Sequence, residues 1–247
     1  MSGIIDRLPI LFEESMEDLP YLKDNAKNPK KDKNGSASNT LANLIRFIGV
    51  SEFLLNQNIE GFRRFLSDAA QIRLSLIERF DKGEAISKSY VSMLSYKSLF
   101  NALASGDLGL AKKLASTMGG RDDIEREYDH PFDRALGYAL KAIVLNSVEQ
   151  GEKAAEFRTV IEESGNIDFI GYADAFEAIL NCDAESFMNA LQSIVSNHKK
   201  QSKGNGVFRD SEDEVLCIWG VGLVNLAKLR GMEIKFDDPL IPVSLVS

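Results

Sequence analysis

The chain of 247 residues carries 29 Lys and Arg against 37 Asp and Glu, a formal charge of -8, with 44% apolar residues and only 6 prolines. That length and composition suit one domain, or one continuous helical array, with a substantial core. The acidic balance argues against phosphate backbones or anionic lipid as the main partner and favours a basic one.

The N-terminal run Met1-Ser2-Gly3-Ile4-Ile5-Asp6-Arg7 lacks a basic region followed by an uninterrupted apolar one, and no stretch approaches the length of a membrane span. A soluble cytoplasmic protein is the expectation. Residues 1 to 22 mix apolar side chains with acids and with Pro9 and Pro20, which suits a short helix docked on the body. Lys23 to Asn39 is rich in Lys, Asn and Ser and poor in apolar residues, and reads as an exposed linker. The division expected is an N-terminal segment and linker over 1–40, then an all-helical domain over 41–247.

Beyond Ser38 and Asn39, either able to cap a helix, Leu41, Leu44, Ile45 and Ile48 recur at three-to-four spacing. A longer amphipathic helix follows from Phe62 to Phe80 and ends at Asp81-Lys82-Gly83. Tyr90 to Leu103 marks a third helix, and Ser105-Gly106-Asp107 is a turn whose aspartate can cap the helix carrying Leu110 and Leu114. A charged, Gly-containing connection from Gly119 to Asp129 leads to His130-Pro131, a helix from Phe132 to Val144, and another from Glu152 to Glu163.

Gly165 closes that helix, and a second hairpin runs through Tyr172 to Leu180, the turn Asn181-Cys182-Asp183, and Phe187 to Val195. Ala102 to Ala115 aligns with Ala178 to Leu191 as shared hairpin chemistry, at an offset of about 76 residues, or two periods of about 38. Repeat consensus residues are absent, so an irregular array of packed hairpins is expected, not a regular solenoid. Lys199 to Asp213 reads as a loop, Glu214 to Leu229 as the final helix with Gly220-Val221-Gly222 at a close helix contact, and Met232 to Ser247 as an extended tail. The fold class expected is all-α.

Candidate chemistry is sparse. The two histidines, His130 and His198, read as surface or capping residues. No zinc spacing and no phosphate-cradling glycine loop follows a strand, so no metal and no cofactor is expected. Cys182 and Cys217 read as small apolar residues of a reducing compartment, with a disulfide disfavoured. The aromatics Phe62, Phe65, Phe132, Tyr138, Tyr172, Phe176, Phe187 and Trp219 follow helical spacing and read as core.

Two acidic clusters exceed background: Asp122, Asp123, Glu125, Glu127 and Asp129, with Asp133 beyond, and Asp210, Glu212, Asp213 and Glu214. A charge run is most often a solvated face, and Asp213 and Glu214 also favour the start of a helix. The functional alternative is a surface that meets Lys and Arg of a basic partner.

The C-terminal third carries Gly171-Tyr172-Ala173-Asp174-Ala175-Phe176-Glu177-Ala178-Ile179-Leu180, then Asp183-Ala184-Glu185-Ser186-Phe187-Met188-Asn189-Ala190-Leu191 and His198. It continues with Ala227-Lys228-Leu229-Arg230-Gly231 and Asp237-Asp238-Pro239-Leu240-Ile241-Pro242-Val243-Ser244-Leu245. In that order these segments resemble the bacterial immunity proteins of family 49, found beside toxin genes in polymorphic toxin systems. The resemblance covers residues 170 to 247 well and 94 to 118 loosely. It implies an all-helical antitoxin that binds a cognate toxin domain and has no catalytic residues to transfer. An acidic inhibitor fits the basic groove of a nuclease, the first candidate target. Two other classes remain: a helical scaffold or adaptor with a peptide groove of aromatic and Asn/Arg side chains, and a small-molecule enzyme with a deep pocket of titratable groups.

Overall fold

The apolar stripes become helices in the computed structural model, which describes residues 4–246. These residues form eleven α-helices and no named strand: α1 (Ile4–Lys27), α2 (Ser36–Asn56), α3 (Ile59–Asp81), α4 (Tyr96–Ser105), α5 (Leu108–Thr117) and α6 (Asp122–Tyr128). The second half contains α7 (Pro131–Leu145), α8 (Gln150–Ser164), α9 (Ile170–Asn181), α10 (Ala184–Gln201) and α11 (Ile218–Leu229). The protein is an all-α domain of packed hairpins. Among the described residues no helix is long and apolar enough to cross a membrane.

Three hairpins share one turn. A residue in the left-handed conformation, Gln57, Gly106 or Cys182, closes the first helix. The next residue, Asn58, Asp107 or Asp183, accepts a hydrogen bond from the backbone N–H three positions on, at 2.8, 2.9 and 3.0 Å. Two of these turns are the ones aligned by sequence. The turn folds each helix back on its neighbour, so α2 packs on α3, α4 on α5 and α9 on α10.

The polar N-terminal stretch is more ordered than its composition suggests. Lys23 to Lys27 complete α1, and Ser36 to Asn39 open α2, leaving a short connection. That connection is held by Asp32, 1% exposed, which accepts from Ser38 N and Oγ at 2.9 and 2.6 Å and pairs with Arg79 at 2.6 Å. Burial opposes the charge, yet the hydrogen bonds from Ser38 and Arg79 hold the Asp32 carboxyl below its ordinary pKa. A buried, fully bonded carboxylate orders residues that apolar burial alone would not. Leu19 of α1 joins Leu41, Ile45, Ile48 and Phe65 in a satellite cluster, so α1 docks on the body along its length.

Three other stretches differ from the apolar pattern. The helix expected from Tyr90 starts at Tyr96, because the Asp129 carboxylate takes the N–H groups of Met93 and Leu94 at 2.8 and 3.4 Å and fixes a 3₁₀ turn there. The connection from Gly119 to Asp129 contains α6. The final helix begins at Ile218 instead of Glu214, with Cys217 N–H bonded to the carbonyl of Leu240 in the tail at 2.8 Å.

α11 lies against α4, far back in the chain. Gly222 allows the approach: a Cβ there would meet the Phe100 carbonyl oxygen and Leu103 Cβ at 3.2 Å. Asn225 Nδ2 donates to the Leu103 carbonyl at 2.9 Å, tying the two backbones. The segment after α11 is non-helical apart from a 3₁₀ turn at Val243–Leu245, and its Leu240, Ile241, Leu245 and Val246 are buried against the main core.

Candidate binding cleft

A cleft of about 750 Å³ opens where these helices meet. α2 presents Asn39, Asn43 and Arg46 to it, a spacing of four then three that keeps them on one face. α3 contributes Arg73, and the start of α4 contributes Tyr96, Lys97, Ser98 and Asn101. The opposite wall is His130, Phe132 and Asp133 at the start of α7, with Phe169, Phe208 and Asp213. Trp219 of α11 also lines it, half-buried.

The floor is aromatic. Trp219 stacks on Phe100 with ring centres 5.1 Å apart and meets Tyr96, Tyr172 and Phe208 edge-on at 5.4, 5.6 and 5.8 Å. Such contacts fix ring orientation beyond what area burial supplies. Of the eight aromatics expected in the core, Phe62, Phe65, Phe132, Tyr172, Phe176 and Phe187 are buried, whereas Tyr138 and Trp219 are half-buried.

Most charged groups here are committed to one another. Arg46 pairs with Glu212, with Asp213 at 2.5 Å, and donates from Nε to Asn101 at 3.3 Å. Burial works against its guanidinium, and the two carboxylates more than compensate, leaving its pKa raised. The Tyr96 hydroxyl donates to Asp133 at 2.7 Å, and burial followed by that carboxylate raises its pKa well above the usual phenol value. Arg73 differs. Its guanidinium donates to Asn39 Oδ1 and to the Tyr90 carbonyl at 3.3 Å, no described carboxylate pairs with it, and burial lowers its pKa.

His198 is buried, a correction to its reading as a surface or capping residue. Its ring stacks on Phe208 at 4.2 Å, and Nε2 lies 2.5 Å from the Asp213 carbonyl, so the neutral ring donates from Nε2. Burial lowers its pKa, against the Asp213 carbonyl and carboxylate, which favour the charged ring. His130 is a cap as expected: Nδ1 accepts from Phe132 N–H at 3.2 Å. Both cysteines are free; Cys182 is an exposed cap residue, and burial pushes the Cys217 thiol up to about 12.

The acidic clusters divide by role. Asp122, Asp123 and Glu127 are exposed on α6. Glu125, 0% exposed, accepts from Arg121 N–H and the Tyr138 hydroxyl, both at 2.9 Å, and lies 3.4 Å from Arg134. With Asp129 bonded to Met93 and Leu94, these two support the fold. In the second cluster Asp210 is exposed, while Glu212 and Asp213 hold Arg46. Of the two clusters only Asp213 lines the cleft, joined by Asp133 from beyond the first, whereas Asp122, Glu125 and Asp129 line a separate depression with Arg134 and Lys153.

The residues that sequence reasoning passed over are Asn39, Asn43, Arg46, Arg73, Lys97 and Asn101. A signal existed in the polar i, i+4, i+7 stripe of Asn39, Asn43 and Arg46 on an otherwise apolar helix. Among the described residues no group of three or more His, Cys, Asp or Glu is placed to hold a metal ion. The chain matches no protein family, no curated protein and no solved structure.

Proposed function

We propose that the protein is an immunity protein that neutralises a cognate bacterial toxin domain in the cytoplasm by direct contact, without catalysis of its own. The observation that supports this reading is the set of exposed acids outside the cleft, Asp122, Asp123 and Glu127 on α6 and Asp210 in the loop after α10. Such a surface attracts a basic toxin and orients it. The ionisable groups in the cleft fit binding better than turnover, since Arg46 is spent on Glu212 and Asp213 and Tyr96 on Asp133.

The test is co-expression with the toxin domain encoded by the neighbouring gene. Rescue of growth together with co-purification of the two proteins is expected. Undiminished toxicity, with no complex formed, overturns the reading. A helical scaffold that grips a peptide is the second reading, favoured by the Asn, Arg and aromatic lining of the cleft.

A further inference from the structure

We infer that the cleft holds an extended segment of the partner protein, with a partner carboxylate on Arg73 and an apolar or aromatic partner side chain on Trp219. The inference rests on the reading that this protein binds another protein, and not on the identity of the toxin.

Arg73 supplies the first argument. Both of its hydrogen-bond partners, Asn39 Oδ1 and the Tyr90 carbonyl, are neutral, and its Nε has no partner among the described residues. Together with the Tyr90 ring, 5.6 Å from the guanidinium, these neutral partners offset only part of its desolvation cost, and an incoming carboxylate adds charge-assisted bonds. The internal acids are already engaged, Asp213 with Arg46 and Asp133 with Tyr96. Exposed Lys97 adds a second cation to the lining. Arg73 and Lys97 are therefore the cleft's cations without a described carboxylate partner, on a chain whose net charge is -8.

The neutral lining points to a peptide. The Oδ1 atoms of Asn39 and Asn101 are taken by Arg73 and Arg46, which leaves their amide N–H groups as the donors these two cleft-lining side chains can still offer. No described residue accepts from the Nδ2 of Asn39, Asn43 or Asn101. Neutral amide donors suit the carbonyls of a main chain. The stripe from Asn39 to Arg46 rises about 10 Å along α2, a length matched by about three residues of extended chain. Beside it, Phe132, Phe169 and Trp219 offer an apolar face for one large side chain. Inside an otherwise acidic surface, one unsatisfied cation also fixes the register of a basic partner that carries a single acid.

The experiment pans a random peptide display library on the full chain, then titrates the enriched peptides while following fluorescence from Trp219, the single tryptophan. Enriched sequences should place Asp or Glu within about three residues of a large apolar or aromatic side chain. Changing that acid to its amide should weaken binding about tenfold, as should Arg73→Gln with the far-ultraviolet circular dichroism unchanged. If Arg73→Gln fails to fold, the exposed variants Lys97→Glu and Asn43→Ala stand in for it, each with weaker binding expected. Enrichment without an acid, affinities unmoved by Lys97→Glu and Asn43→Ala, or a Trp219 response to ATP and not to peptides overturns the inference. Toxin binding that survives Arg73→Gln and Lys97→Glu removes the cleft and leaves the immunity reading standing. Peptide binding without rescue from the toxin does the reverse.

Discussion

His198 shows what a single side chain contributes and how its sequence context misleads. Lys199 and Lys200 follow it at the end of α10, a place where cations are favoured by unpaired carbonyls. The ring is nevertheless packed against Phe208, with Nδ1 buried and without a partner and Nε2 on the Asp213 carbonyl. Its pKa is lowered by burial, so the folded state disfavours the proton that the unfolded chain accepts near its ordinary value. Stability carried by the neutral ring is therefore full above about pH 6.5 and is lost as pH falls below it. Urea unfolding followed between about pH 7.5 and pH 5.5 should show the midpoint dropping with pH. The same series in His198→Gln should lose part of that drop, and an unchanged slope would show that the ring does not titrate on unfolding. Nothing within helical reach of His198 announced Phe208, which arrives from the following loop. The sequence-level error was one of tertiary context and not of local pattern.

The hairpin elements were the most readable part of the chain, because their turns are written in two adjacent residues. Gly106-Asp107 and Cys182-Asp183 each couple a left-handed residue to a capping carboxylate, and both form the expected turn. Element starts were less readable where a distant side chain decides them, as Asp129 does for α4 and Asp32 for the approach to α2. The α4–α11 contact gives the sharpest test at this scale. Gly222→Val would drive its branched carbons into the Phe100 carbonyl and Leu103, and should cost about 2 kcal/mol. Gly109→Ala is the control on α5: its added carbon meets nothing closer than Asp107 Oδ1 at 3.6 Å, so stability should hold or rise. Equal denaturation midpoints for Gly222→Val and the parent would mean that the two helices are not in close contact.

For the whole molecule, charge and topology act together. The exposed acids Asp122, Asp123, Glu127 and Asp210 carry little of the fold; Asp122, for one, makes a surface pair with Arg134 at 3.2 Å. Replacing all four with Asn or Gln should cost about 1–2 kcal/mol at most while slowing association with a basic toxin by about tenfold and flattening its salt dependence. Stopped-flow association at two ionic strengths measures both, and unchanged rates would exclude these acids from the encounter surface. Charge sign and all-α class could be read from composition and periodicity, but the cleft could not. Its walls come from α2, α3, α4 and α7, and its aromatic floor from α11, elements brought together only by packing. That late closure bears on biosynthesis. Asn225 of α11 reaches back to the carbonyl of Leu103, 122 positions earlier, so the face of α4 that packs on α11 stays bare on a nascent chain until α11 has left the ribosome. Because Trp219 rides on the same helix, the cleft gains its aromatic floor only when α11 docks, and a chain that stops short of it has the walls without the floor.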